Sequence, residues 1–266
     1  MAGDGDGTQF TLLGTDSTLD EHALAAHYAY PDALRSCWVR ANMISSLDGG
    51  ATSDDGRSGA LGAAGDRAVF ATLRELADVI VVGAGTVRVE NYSGVHFDAS
   101  RRATRQLRGQ TEVPPVAVLT RTGRLERRSR LFTHTEIPPL VLTSTEALAD
   151  TREQLGDLAE VFDASGDRAD SVDLPTALSL LARRGLLRVL TEGGPAILGA
   201  FVAVGLLDEL CLTVAPVLVG GQSPRIATGP GQASTAMQPR TVLTDSEGYL
   251  YLRYGRAAEA QPPGMR

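Results

Sequence analysis

The chain has 266 residues, 43% hydrophobic and 21% charged, which is the composition of a globular protein long enough to bury one large core or two small ones. Its formal net charge of -7 argues against nucleic acid as the main partner, because binding a phosphate backbone needs a basic face. All 25 basic side chains are arginine, so Schiff-base chemistry and a P-loop lysine are excluded, and anions must be held by guanidinium groups, backbone N–H groups or helix N-termini.

Residues 1–35 show no sustained period and read as an N-terminal arm with at most one short helix, in which His22 and His27 are expected to be solvated. Met1 to Gly7 lacks the basic and apolar regions of a signal peptide, and the run Ala196 to Leu207, broken by Gly199 and Gly205, is too short to span a bilayer. The expected setting is the cytoplasm, with Cys37 and Cys211 as buried, reduced thiols and no membrane contact. Four histidines without a CxxC or an H-x-E followed by P-C-x-x-C give no zinc site, and no metal is expected.

Cys37 to Ile44 reads as a strand, followed by a turn-rich segment from Ser45 to Gly65 whose length marks it as functional. Asp66 is a plausible N-cap for a helix to about Ala77, with Val69, Phe70, Leu73 and Leu76 at helical spacing. Strands are expected at Val79–Val82, Val116–Leu119, Leu140–Thr143, about Ala159–Phe162, Leu187–Leu190 and Glu209–Val214. Helices are expected at about Thr145–Leu158, Leu174–Arg184 and Pro195–Val204, an alternation that points to βαβ units and a largely parallel sheet. The pair Thr241–Thr244 and Tyr249–Tyr254 reads as an antiparallel hairpin closing one edge, and residues 257–266 as a disordered tail.

Three strand ends carry ligand-binding chemistry. Val81-Val82-Gly83-Ala84-Gly85-Thr86 runs from a strand into glycines that let a ligand approach the backbone, although Arg88 stands where a G-x-G-x-x-G would have its third glycine. Thr191-Glu192-Gly193-Gly194-Pro195 offers backbone N–H groups to an anion, beside which Glu192 either faces another ligand or is a helix-start charge. Thr120-Arg121-Thr122-Gly123-Arg124 suits a phosphate monoester such as the 2′-phosphate of NADP, or is a solvated basic turn continuous with Arg127, Arg128 and Arg130. In one sheet these junctions would line a single carboxyl edge, where open α/β sheets bind ligands.

The segments Asn42-Met43-Ile44-Ser45-Ser46-Leu47-Asp48-Gly49, Leu73-Arg74-Glu75-Leu76-Ala77-Asp78 into Val79-Ile80-Val81-Val82-Gly83, Thr191-Glu192-Gly193-Gly194-Pro195, and Ala215-Pro216 before Gly220-Gly221 occur in this order, from about Val39 to Arg253. In this the chain resembles the reductase domain of riboflavin biosynthesis, which has a dihydrofolate-reductase-like fold. The resemblance implies a three-layer α/β architecture over residues 36–256, with a mostly parallel central sheet and a C-terminal antiparallel hairpin. It implies NADPH-dependent reduction of 5-amino-6-(5-phosphoribosylamino)uracil to its ribitylamino product, and a homodimer, for which the apolar run Leu206 to Val219 could be shared.

Carried over by that resemblance, Ile44 and Ala60 flank the nicotinamide; Gly83, Thr86, Glu90, Gly193, Gly194, Pro195, Ala196, Ile197 and Leu198 contact the cofactor, and Thr120 with Arg121 meets its 2′-phosphate. Ser58, Asp66, Arg74 and Glu192 fall at substrate positions, Arg74 as the candidate for the substrate phosphate, against the plainer reading of an i,i+4 pair with Asp78. Asp66 is an N-cap or a reader of a pyrimidine or pterin edge, and Asp48 a turn-former or a proton donor. Asn42 stands where many relatives carry lysine; it can orient a substrate oxygen but supplies no charge, so Glu192, Asn42 and Asp48 are the catalytic candidates. The alternatives are a dihydrofolate or pterin reductase on the same fold, and a non-catalytic nucleotide-binding homologue.

Overall fold

Segments such as Val79–Gly83, Val116–Thr120 and Leu140–Thr143 are apolar on both faces, and strands of that kind need cover above and below the sheet. The computed structural model, which describes residues 21–53 and 56–257, supplies that cover. Among the described residues nine strands form one sheet: β1 (Trp38–Ser46), β2 (Val79–Gly83), β3 (Val116–Thr120), β4 (Leu140–Thr143), β5 (Glu160–Asp163), β6 (Arg188–Thr191), β7 (Glu209–Ala215), β8 (Met237–Thr244) and β9 (Leu250–Arg256). Their order is β5-β4-β3-β2-β6-β1-β7-β9-β8, parallel from β5 to β7 and antiparallel where β9 joins β7 and β8 joins β9. This mostly parallel sheet between helices is the fold class expected from the sequence, and the hairpin closes one edge as expected.

The helices are α1 (Glu21–His27), α2 (Ala64–Leu76), α3 (Ala84–Val89), α4 (Ala99–Leu107), α5 (Arg130–Thr133), α6 (Thr145–Leu155), α7 (Leu174–Arg183) and α8 (Pro195–Ala203). Leu174, Ala177, Leu178 and Leu181 of α7 and Leu198 and Phe201 of α8 pack into a core on one face, with Val39, Val81 and Val189. Val69, Leu73 and Leu76 of α2, with Val87, Leu131 and Leu155, build the core on the other.

Several local expectations are corrected. Helix α2 begins at Ala64 after Ala63, and Asp66 sits in its first turn instead of capping it. The helix from Thr145 stops at Leu155, where Gly156 turns left-handed (φ 52°) and a single 3-10 turn follows. Helix α4 was not expected, because its Arg-rich sequence has no apolar stripe; it is held by Arg105, fully buried, which donates to the carbonyls of Glu75 and Ala77 at the end of α2. The run Leu206 to Val219, expected to be shared with a second copy, is largely spent within the chain, since β7 lies between β1 and β9, and of it Val217 and Leu218 are exposed large apolar side chains.

The described part of the expected arm is anchored. Tyr28 and Tyr30 are buried against the sheet. Below them Arg40, itself buried, donates through Nε to Glu209 (2.6 Å) and through Nη1 and Nη2 to the carbonyls of Tyr28 (2.6 Å) and Ala29 (3.3 Å). Its guanidinium lies 3.9 Å from the centre of the Tyr30 ring, and Arg253 completes the pairing of Glu209 from β9. Cys211, next to this cluster, and the half-buried Cys37 are free thiols, pushed up by burial to about 12 and about 11. Of the two histidines, His27 is exposed, and the side chain of His22 lies outside the described residues, as do residues 258–266.

Removing one partner of a buried pair leaves uncompensated charge and carbonyls. Arg40→Met should therefore lower stability by about 3 kcal/mol in a urea titration and make residues 28–30 accessible to protease, whereas a change under 1 kcal/mol would show that Arg253 alone satisfies Glu209.

Candidate active site

Strand β6 pairs with β1 only as far as Ala41 opposite Thr191, while β1 continues to Ser46 against β7 on its other side. On the far side of β6, Val81 of β2 is level with the same Thr191. The sheet therefore opens beyond β6, and Asn42, Met43 and Ile44 face a cleft of about 940 Å³ between β1 and the turns after β2, β3 and β6. That volume is at the upper end of the range for small-molecule sites and accommodates more than one ligand.

Two glycine turns form the floor. The N–H of Gly83 donates to the carbonyl of Gly193 (2.8 Å), and a Cβ on Gly83 would lie 2.9 Å from Ile197 Cγ1, so only glycine lets α8 come this close to β2. A Cβ on Gly194 would lie 2.8 Å from Thr86 Oγ1, which brings the openings of α3 and α8 side by side. First-turn N–H groups have no helical acceptor, and a dinucleotide phosphate could take those of α8 at Gly194 and Ala196. Gly85, also on the floor, has open space where a side chain would be.

The opposite wall is α2, whose Asp66, Arg67, Phe70 and Arg74 line the cleft. Arg74 donates from Nε to Glu192 Oε1 and from Nη2 to Oε2, both at 2.7 Å, and its guanidinium lies 4.1 Å from the centre of the Phe70 ring. Nη2 also donates to the hydroxyl of Tyr92 (2.7 Å), which in turn donates to Glu192 Oε2. Burial raises the Tyr92 phenol well above its ordinary value, so it remains a proton-bearing donor. Asn91, left-handed at φ 49° after α3, turns the chain so that Tyr92 returns to the cleft. Burial also raises the Asp66 carboxyl, opposed by a hydrogen bond from Thr213. Ser58 donates through its N–H and its hydroxyl to Glu90 Oε1 (both 3.0 Å), tying the long loop to the end of α3. Among the described residues no cluster of metal-ligating side chains occurs, and no helix is long and apolar enough to cross a membrane.

Residues 37–251 match the RibD C-terminal domain family. The chain belongs to that family. It is 28% identical over 209 residues to the riboflavin biosynthesis protein RibD of Bacillus amyloliquefaciens, covering 78% of this chain and 53% of that one, so it spans about half of that relative's length. It is also 28% identical over 193 residues to the 2,5-diamino-6-ribosylamino-4(3H)-pyrimidinone 5′-phosphate reductase of Archaeoglobus fulgidus, covering 72% and 86%. A pyrimidine reductase-like protein from Corynebacterium diphtheriae superposes with a TM-score of 0.75 at 28% identity, over 84% of this chain and 93% of that one.

In this RibD C-terminal domain the cleft brings together Asn42, Ile44, Ser58, Asp66, Arg74, Gly83, Thr86, Glu90, Thr120, Arg121, Glu192, Gly194, Pro195, Ala196 and Ile197. Other expected residues stand elsewhere. Leu198 is turned into the core beside Phe201. Ala60 is in a 3-10 turn behind Gly59, which lines the cleft in its place. The N–H of Gly193 donates to Thr191 Oγ1 (3.3 Å), which removes it from an anion site. Arg74 pairs with neither Asp78 nor an open site: Asp78 accepts from the N–H groups of Leu187 and Arg188, and the forked face of Arg74, expected to grip a phosphate, is filled by Glu192. Sequence reasoning missed Tyr92, Phe70, Arg67 and Pro224; the i,i+3,i+7 spacing of Arg67, Phe70 and Arg74 was the available signal for two of them.

Asp48, a catalytic candidate, lies outside the cleft and braces a turn. Its carboxylate accepts from Ser46 Oγ (2.5 Å), Val219 N–H (3.1 Å) and Gly220 N–H (2.7 Å), which hold it down at about 2. A depressed value means the brace contributes above the usual aspartate range near pH 4 and is lost as pH falls through about 2. An NMR titration should find that midpoint, and Ser46→Ala should raise it. Asp48→Asn should leave turnover within about twofold, less than the hundredfold or greater loss expected of a proton donor.

Proposed function

We propose that the chain is a reductase that uses NADPH to convert 5-amino-6-(5-phosphoribosylamino)uracil to its ribitylamino product. The observation that carries this reading is the two-walled cleft: glycine-floored helix openings and Thr120–Arg121 on one side, and the Arg74–Glu192–Tyr92 ring with Asp66 on the other, with Asn42 to Ile44 of β1 between them. Relatives named as pyrimidinone phosphate reductases support the substrate class.

The residues present fit a reduced nicotinamide dinucleotide. The close approach enforced at Gly83 and Gly194 leaves the N–H groups of α8 free for its diphosphate, and Arg121, exposed at the end of β3 beside Thr120 and Thr122, suits the 2′-phosphate. When bound it supplies the hydride, received at C1′ of the opened ribose as the neighbouring nitrogen gains a proton. This chain's contribution is to position the reactants: β1 holds the two ligands edge to edge, and the α2 wall keeps the substrate against them. Every hydrogen bond of the Glu192 carboxylate to the described residues is one it accepts, which supports a holding role over proton donation. Asp66 keeps a dihydropterin in play as the second substrate class, because a carboxyl in the wall pairs with a ring edge bearing an amino group.

NADPH consumption measured with the phosphoribosyl pyrimidine and with dihydrofolate decides the matter. Turnover with the pyrimidine alone is expected; turnover with dihydrofolate alone favours the pterin reading, and none with either favours a nucleotide-binding homologue. Arg121→Ala should weaken NADPH binding about ten- to a hundredfold, matching about 1.5 to 3 kcal/mol for a charged hydrogen bond, while NADH binding is unchanged. We also propose a homodimer, and light scattering should then give about twice the 28.0 kDa of one chain.

A further inference from the structure

Arg40 and Asn42, two residues apart on β1, point to the same face of the sheet, but the fold treats them differently. Arg40 spends its donors on Glu209 and on the carbonyls of Tyr28 and Ala29. Asn42 lines the cleft with only 9% of its surface exposed, and its side chain makes no hydrogen bond to the described residues. Buried amides are costly to leave unpaired, so this one is a recognition group that the fold itself does not consume. Asn42 is level with Cys211 of β7, and Glu192 follows Thr191 on β6 just as Asn42 follows Ala41 on β1. One flank of the amide is thus the end of β6, whose Glu192 is committed to Arg74 and Tyr92; the other is β7, whose Thr213 donates to Asp66. With carboxyl groups on both flanks and the fork of Arg74 filled, this part of the cleft disfavours a phosphate.

A carboxamide presents an acceptor, Oδ1, and a donor, Nδ2, side by side in one plane. A sugar hydroxyl carries its donor and acceptor on one atom and meets one side of that pair, whereas a cyclic lactam carries C=O and N–H on adjacent atoms and satisfies both. Ile44 and Phe70, which also line the cleft, offer apolar surface to the faces of such a ring. We infer that Asn42 is a specificity-determining residue that pairs with a lactam edge of the substrate's ring, Nδ2 donating to the ring carbonyl and Oδ1 accepting from the neighbouring ring N–H. This rests on the reductase reading above for the kind of substrate, since the phosphoribosyl pyrimidine and a dihydropterin both carry that edge.

The test is calorimetric titration of the full, NADPH-loaded chain with 5,6-diaminouracil, which has the lactam edge but no sugar carbon to reduce, and with 5,6-diamino-1,3-dimethyluracil, whose ring nitrogens carry no hydrogen. The unaltered chain should bind the first at least about tenfold more tightly than the second. Asn42→Leu, similar in size but apolar, should weaken the first about tenfold and erase the difference between the two, with NADPH affinity within about twofold and the thermal midpoint within about 3 °C. Asn42→Ala gives the same comparison if leucine does not fit. Equal binding of the two probes, no binding of 5,6-diaminouracil to the unaltered chain, or undiminished binding to the variants would each overturn the assignment. So would a higher KM for the phosphoribosyl pyrimidine in Asn42→Leu with unchanged affinity for the ring, which would put Asn42 at the sugar. The titration does not depend on turnover: a chain that binds the ring through Asn42 but reduces neither pyrimidine nor dihydrofolate keeps this assignment and loses only the reductase reading.

Discussion

Strand β6 gives up its pairing with β1 at Thr191, and β1 carries on for residues 42–46 with a partner on only one side. The ladder that would continue across this gap is missing over the same stretch in which β2 ends at Gly83 and β3 at Thr120. Parallel strands all present their carboxyl ends to one edge, so the shortening of a single central strand creates a notch instead of a flat rim. The placement of the cleft, the lining of it by Asn42 to Ile44 and the meeting of α3 with α8 all follow from that shortening.

The notch would be of little use without control of its charge. The chain is acidic as a whole, yet Arg67, Arg74, Arg88, Arg121 and Arg130 line this one hollow. The innermost of them, Arg74, is matched by Glu192 and Tyr92, while Arg121 and Arg130 are exposed towards the β3 end. The gradient runs from a neutralised inner wall to a cationic outer rim. A ligand with its phosphate at one end and hydroxyls or a ring at the other is oriented by such a gradient before any close contact forms.

Most of the sheet was legible because its signals are local: uninterrupted apolar runs for buried parallel strands, and glycine or proline where strands pass into helices. The strand positions of β2, β3, β4 and β7 follow from that pattern to within a residue or so. Helix α4 was hidden because its stability comes from one buried arginine reading carbonyls of α2, a contact no periodicity reports. The site was legible at its glycine turns, where the chain must come close to itself, and much less so along α2. A sequence can show that Arg74 is present and suited to an anion, but not that Glu192, 118 residues away, already occupies it. Tyr92 escaped notice for the same reason, since its role exists only once the turn at Asn91 has folded it back.

The docking of residues 27–30 has a different character from the packing elsewhere. Arg40 and Arg253 hold this segment largely through the main-chain carbonyls of His27, Tyr28 and Ala29, so half of the recognition is of peptide groups that every residue possesses. Positions 27 and 29, whose side chains are exposed, are then free to drift in evolution while the segment keeps its place. The burden of inheritance falls on the two arginines and on Glu209 between them, three residues that would have to change together for another way of attaching this segment to emerge.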